Sequence, residues 1–173
     1  MKKSLALILF ILFATASFGV ARGHKVRLHH TISATKSWMP TGSVSADSLL
    51  EFARSLIGVR YLSRSSNPLR GFDCSGFVSY VFKRFNFDVP RSSYDFINIG
   101  QKIRLEDARP GDIILFTGTK KHSRRIGHVA ILYSTEDNGI QFIHSTSGKE
   151  HGVTITNMDD TYKRRFVQVI RLI

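Results

Sequence analysis

An α+β fold, with helices first and an antiparallel sheet after them, is what this sequence predicts. Between residues 46 and 85 the apolar positions recur at helical spacing in two separate segments. Beyond residue 110 the period becomes extended, in five short β-rich runs punctuated by Gly and Asn-Gly. Helices grouped ahead of strands, rather than alternating with them, mean α+β: N-terminal helices packed on a five- to six-stranded antiparallel sheet.

The chain opens with a segment that does not belong to that fold. Met1-Lys2-Lys3 is a short positive start, Leu5 to Ala14 an unbroken apolar run of ten residues, and Ala14-Thr15-Ala16 offers small residues for signal peptidase. That is the layout of a secretory leader, assigned to residues 1–21 with a cut after Ala16, Gly19 or Ala21. An uncleaved anchor or a buried core helix are the alternatives. The run falls short of the roughly 18 residues of a spanning helix, although Phe18, Val20 and Ala21 could extend it. Cleavage predicts a periplasmic or secreted chain. No cysteine directly follows the apolar run, which argues against a lipid anchor at a mature N-terminal Cys.

Residues 22–45 are basic and rich in Ser, Thr, Gly and His, with no sustained apolar period. They read as a solvated arm, with a metal site at His24, His29 and His30 as the less favoured alternative. Trp38-Met39-Pro40 could pack on the domain that follows.

The folded domain is assigned to residues 46–173. Leu49, Leu50, Phe52, Ala53, Leu56 and Ile57 form one helical stripe, and Gly58 stands where the helix should stop. A polar loop with Pro68 and Gly71 follows. Cys74, Phe77, Val78, Val81, Phe82 and Phe85 mark the face of a second helix, with Asp73 as its N-cap. Val89 to Ser93 is a turn into a short third helix around 94–99. The strands are 113–116, 128–133, 140–144, 153–155 and 165–172.

The formal charge is +12, and +10 once Lys2 and Lys3 leave with the leader. Such a chain is drawn to polyanions. Export argues against nucleic acid, and the aromatics fall on core periods rather than among the basic residues as single-strand binding requires. Anionic envelope surfaces are the remaining partners. At this length the mature chain is one domain, read as a monomer.

Cys74 is the only cysteine. Alone, it is either a small buried hydrophobe or a reactive thiol. Its place at the first turn of a helix favours the second, because unpaired N–H groups there lower thiol pKa and can bind an oxyanion. Gly76 costs helix stability, and close approach of a substrate would explain it. His128 opens an otherwise apolar strand, where an unsatisfied polar group costs about 1–3 kcal/mol, so it needs a partner. His144 closes another strand. If those strands are neighbours, Cys74, His128 and His144 form a nucleophile, base and orienter.

The strings Gly71–Val78, Pro90–Ser93, Arg109–Phe116, Gly127–Ala130 and Phe142–Ser145, in this order and approximate spacing, resemble the NlpC-type (NlpC/p-sixty) cell-wall peptidases. The resemblance runs from about Leu49 to the C-terminus. It implies a papain-like fold, a Cys74–His128–His144 triad and hydrolysis of murein stem peptides, typically between D-glutamate and the diamino acid. It also implies that the Tyr61 hydroxyl shapes the site and its oxyanion hole, although on sequence alone Tyr61 could be packing. Arg91 and Asp112 match positions that the family uses mostly structurally, as turn and buried-pair residues. Asp73, Ser75 and Arg91 are also candidate substrate contacts. The chain departs from the family in the 58–66 loop, which lacks the usual Pro and Gly-Gly, and in the basic 120–125 loop. There Lys121, Arg124 and Arg125 are either solvated or receive substrate carboxylates. No metal or other cofactor is required by this chemistry. A catalytically silent murein-binding module, or a thiol amidase or acyltransferase on the same scaffold, are the alternatives.

Overall fold

A computed structural model describes residues 44–120, 124–136 and 139–173. The leader, nearly all of the arm with its His cluster and Trp38, and Lys121 lie outside the described residues.

Helix α1 (Ala46–Arg54) starts at Ser45, whose hydroxyl accepts from the Ser48 N–H. It stops a turn before the expected end, and the chain leaves it through Gly58, whose φ of +87° suits glycine. Strands β1 (Ser66–Asn67) and β2 (Gly71–Phe72) form a small ladder within the polar loop. Helix α2 (Cys74–Arg84) follows directly, capped by Asp73. The predicted third helix is a single 3-10 turn at Asp95–Asn98.

A six-stranded antiparallel sheet makes up the rest. Its strands are β3 (Gln101–Ile103), β4 (Ile113–Thr117), β5 (Ile126–Ser134), β6 (Gln141–Ser145), β7 (Val153–Asn157) and β8 (Phe166–Arg171), in the spatial order β3-β8-β4-β5-β6-β7. A short helix, α3 (Asp160–Arg165), precedes β8 and occupies the point where the sequence predicted the strand to begin. Edge strand β3 was also not foreseen.

Alternate residues of the sheet face two cores. Ile113, Leu115, Val129, Ile131 and Ile143 pack against Leu49, Phe77, Val81 and Phe82 of the helices. Each such side chain, once buried, contributes about 1.5–3 kcal/mol. Ile114, Phe116, Ala130, Leu132 and Phe142 face the other way, under Tyr162 and Phe166. His128 and His144 continue this second face, as their even numbering on β5 and β6 requires.

Two polar ties hold the halves in register. The Ser145 hydroxyl, fully buried, donates to the Phe72 carbonyl at 2.7 Å and joins β6 to the segment leading into Cys74. Buried Asp112 receives Arg171 through two bonds of 2.8 and 2.7 Å and accepts the Arg109 N–H at 2.8 Å. This is the buried pair expected of Asp112.

Candidate active site

Cys74 is the first residue of α2 and is half-buried. Asp73 takes much of the anion-binding capacity of that helix end. Its Oδ1 accepts the Gly76 N–H at 2.7 Å, and its carboxylate is held by two bonds from Arg91, at 2.9 and 2.7 Å. Arg91 also donates to Ser75 Oγ at 2.9 Å. The Ser79 hydroxyl fixes the Pro90 carbonyl on α2 and so sets Arg91 in place. Asp73, Ser75 and Arg91 therefore bond one another, beside the thiol.

Gly76 has a different cause from the one expected. A Cβ there would collide with the Ser65 carbonyl oxygen, which accepts the Asp73 N–H at 2.9 Å. The close neighbour is the chain's own 58–66 loop, not a substrate.

Around the sulfur, backbone N–H groups of Val129, Ser75 and Cys74 favour the thiolate. The Val129 N–H can take part because of strand parity: the Leu132 N–H points to the Asp112 carbonyl at the β4 side, so that of Val129, three residues away, points to the opposite side. These donors do not win. Burial, and then the charge of Asp73, raise the Cys74 pKa above its ordinary value. The lowered thiol expected at a helix start is thus corrected. Desolvation outweighs the N–H groups, the cap is itself an anion, and the nearby imidazole is neutral.

His128 and His144 meet, as neighbouring strands would require, although β5 begins two residues before His128 rather than at it. His128 Nε2 lies 2.7 Å from His144 Nδ1, with the rings nearly perpendicular. His144 Nε2 lies 2.9 Å from Thr156 Oγ1 on β7. Thr156 was missed by sequence reasoning, because the strand predicted over 153–155 ends one residue short of it. Burial, then His144, then Arg165 hold the His128 pKa well below the usual imidazole value. Burial and Arg165 take His144 down to about 4. Both rings are neutral at neutral pH. The bonds then admit one directional assignment that leaves a ring lone pair of His128 open: His128 Nε2–H donates to His144 Nδ1, and His144 Nε2–H donates to Thr156, so the free lone pair is on His128 Nδ1.

Cys74 and His128 line one cavity of about 290 Å3, together with Tyr61, Gly127, Tyr162 and Arg165, closed on another side by residues 145–148. Tyr61, expected to shape the site, is in its wall. Its hydroxyl pKa is raised by burial and then by the charges of Cys74 and Asp73, so it remains a proton donor. Asp73, Ser75 and Arg91 are not among the lining residues, nor are Arg124 and Arg125. Those two are exposed, and the Arg125 guanidinium rests over the Tyr94 ring at 5.9 Å. The cation that does line the cavity, Arg165, was read from sequence only as the start of a strand.

Comparison with known proteins identifies the family and agrees with the fold. The model of the NlpC/P60 family matches residues 58–171. A gamma-DL-glutamyl hydrolase of Bacillus subtilis is 33% identical over 123 residues, covering 71% of this chain and 28% of its own length. The Escherichia coli protein named murein DD-endopeptidase MepS/murein LD-carboxypeptidase is 32% identical over 118 residues, covering 67% of this chain and 57% of its own. This chain thus spans well under two thirds of either relative. A crystal structure of an NlpC/P60 family protein from Bacillus cereus superposes with a TM-score of 0.64 at 26% identity, over 73% of this chain and 40% of that one. With the helix-start cysteine, the paired strand-end histidines and a matching α+β architecture, the chain belongs to the NlpC/P60 family.

Proposed function

We propose that this chain is an exported cysteine peptidase that hydrolyses peptidoglycan stem peptides at the D-glutamyl–diamino acid bond. The observation that carries the reading is the His128–His144–Thr156 line of hydrogen bonds, which starts at a cavity shared with the chain's only thiol. Relatives named as a glutamyl hydrolase and a murein endopeptidase supply the substrate class. Export rests on the leader-like residues 1–21.

The resting pair is neutral, thiol against imidazole, because burial opposes both charges. His128 Nδ1 therefore removes the proton as the sulfur attacks, and no preformed ion pair is involved. The Sγ–C bond forms, and the carbonyl electrons move to oxygen. The oxyanion is stabilised by the Tyr61 hydroxyl, which lines the cavity, and by backbone N–H groups at the start of α2 that Asp73 does not occupy. Collapse breaks the C–N bond, and His128 returns its proton to the departing amine. A water, deprotonated by His128, then adds to the thioester. The acid leaves and the thiol is restored. Throughout, His144 holds the ring that carries the transient charge.

Digestion of purified disaccharide-tripeptide and disaccharide-tetrapeptide with the protein and with its Cys74→Ala variant tests this. Product masses should show the peptide cut after D-glutamate by the unsubstituted chain alone. Binding without cleavage by both proteins would mean a silent binding module, and cleavage elsewhere would move the assigned bond.

A further inference from the structure

Arg165 stands in the wall of the reactive cavity without an acidic partner among the described residues. Its Nε and Nη2 both donate to the Thr117 carbonyl, at 3.0 and 2.7 Å, and its guanidinium lies 5.3 Å from the centre of the Tyr162 ring. Those contacts, with a side-chain hydrogen bond to the Tyr162 hydroxyl, fix the plane of the group and use three of its five N–H donors. No carboxylate side chain lines the cavity among the described residues. A rigid, half-buried guanidinium with spare donors in such a setting is a receptor for a planar anion, because it matches a carboxylate in geometry and charge.

Its position selects which part of a substrate it meets. Thr117 pairs with Ile126, two residues before His128 on the same strand. The charge of Arg165 is also felt by both His128 and His144. Arg165 is therefore on the histidine side of the cavity. The base must return its proton to the departing amine, so the residue that owns that amine also lies on the histidine side.

We propose that Arg165 is a specificity-determining residue that binds a free carboxylate on the amino acid released as the leaving group. The claim rests on the peptidase reading above and narrows its substrate to peptides whose diamino acid is not amidated. A tie of α3 to β4 is the structural role already served by the Thr117 bonds. Substitution by Gln removes the charge while keeping an amide that can reach that carbonyl.

Binding to the Cys74→Ala protein separates recognition from turnover. The probes are a γ-D-glutamyl–diamino acid peptide with free carboxylates on the diamino acid, and its twin with those carboxylates amidated. Titration calorimetry should show the free form binding about ten- to a hundredfold tighter, the range of a charge-assisted hydrogen bond. Adding Arg165→Gln should erase that preference by weakening the free form alone. Equal affinity for the twins, no measurable binding of either, or a preference that survives Arg165→Gln overturns the assignment. Turnover by the unsubstituted chain is read separately. Cleavage without preference defeats the Arg165 claim alone, and preference without cleavage defeats the peptidase reading alone.

Discussion

At the residue scale, the decisive quantity is where the proton rests. A helix start, a lone thiol and a histidine suggest a thiolate–imidazolium pair. Burial and the Asp73 cap reverse that expectation and leave both groups neutral. Because the His128 pKa is depressed, this proposed base stays unprotonated below the ordinary imidazole value of 6.5. The acid limb of kcat/KM should accordingly fall below pH 6.5, and a limb at or above that value would contradict the assignment. The same burial couples to folding. His144 titrates near 4 when folded against 6.5 as the reference value. Between those values the unfolded chain binds the proton that the folded chain refuses, so stability falls as pH drops through that window. The loss for His144 is about 3 kcal/mol, with His128 adding in the same direction. Urea unfolding at pH 7.5 and 4.5 should show it, and a His144→Asn variant should lose less. Thr156 belongs to the same line of bonds. Thr156→Val keeps the shape but leaves the His144 N–H without its partner, which costs about 1–3 kcal/mol. We expect kcat to fall about tenfold with KM little changed; a change in KM alone would make Thr156 a packing residue.

At the element scale, α2 carries Cys74, the proposed nucleophile, and its first turn leaves no room for a side chain at Gly76. Gly76→Ala should cost about 1–3 kcal/mol, as overpacking does, since the Ser65 carbonyl is fixed by the Asp73 N–H and cannot retreat freely. Unfolding midpoints within a few tenths of wild type would show that the 58–66 loop yields. The elements that the sequence displayed are those with an apolar period. Both long helices and the central strands are of this kind, and the two histidines were visible because each ends an apolar strand. The missed elements lack such a period. Strand β3 has three residues and pairs only with β8. Helix α3, Asp-Thr-Tyr-Lys-Arg-Arg, has no apolar stripe and is set by its Asp159 cap, which accepts from the Tyr162 N–H at 2.9 Å. In the sequence, residues 160–164 carry no predicted element and Arg165 reads as the start of a strand, which hid Tyr162 and Arg165 from the site. Thr156 was hidden for another reason: its partner is 12 residues away, and alternating Thr is common on any strand.

At the scale of the whole molecule, a site assembled from both halves of the chain depends on ties of long sequence separation. The Ser145–Phe72 bond spans 73 residues and holds the strand of His144 against the approach to Cys74. The Asp112–Arg171 pair spans 59 and locks β4 to β8. Asp112 is almost wholly buried, whereas Arg171 is one-fifth exposed. Asp112→Ala should therefore destabilise by about 3 kcal/mol, the lower end for a broken buried pair, with an unfolding midpoint near wild type as the contrary result. What these ties secure is a sulfur and an imidazole sharing one cavity, and covalent capture interrogates that arrangement directly. The protein is mixed with a γ-D-glutamyl–diamino acid peptide, quenched in acid during turnover, and its peptides are weighed. A thioester bearing the glutamyl half on the Cys74 peptide, and no product from Cys74→Ala, is the predicted result. Product formed at the wild-type rate by Cys74→Ala would contradict it.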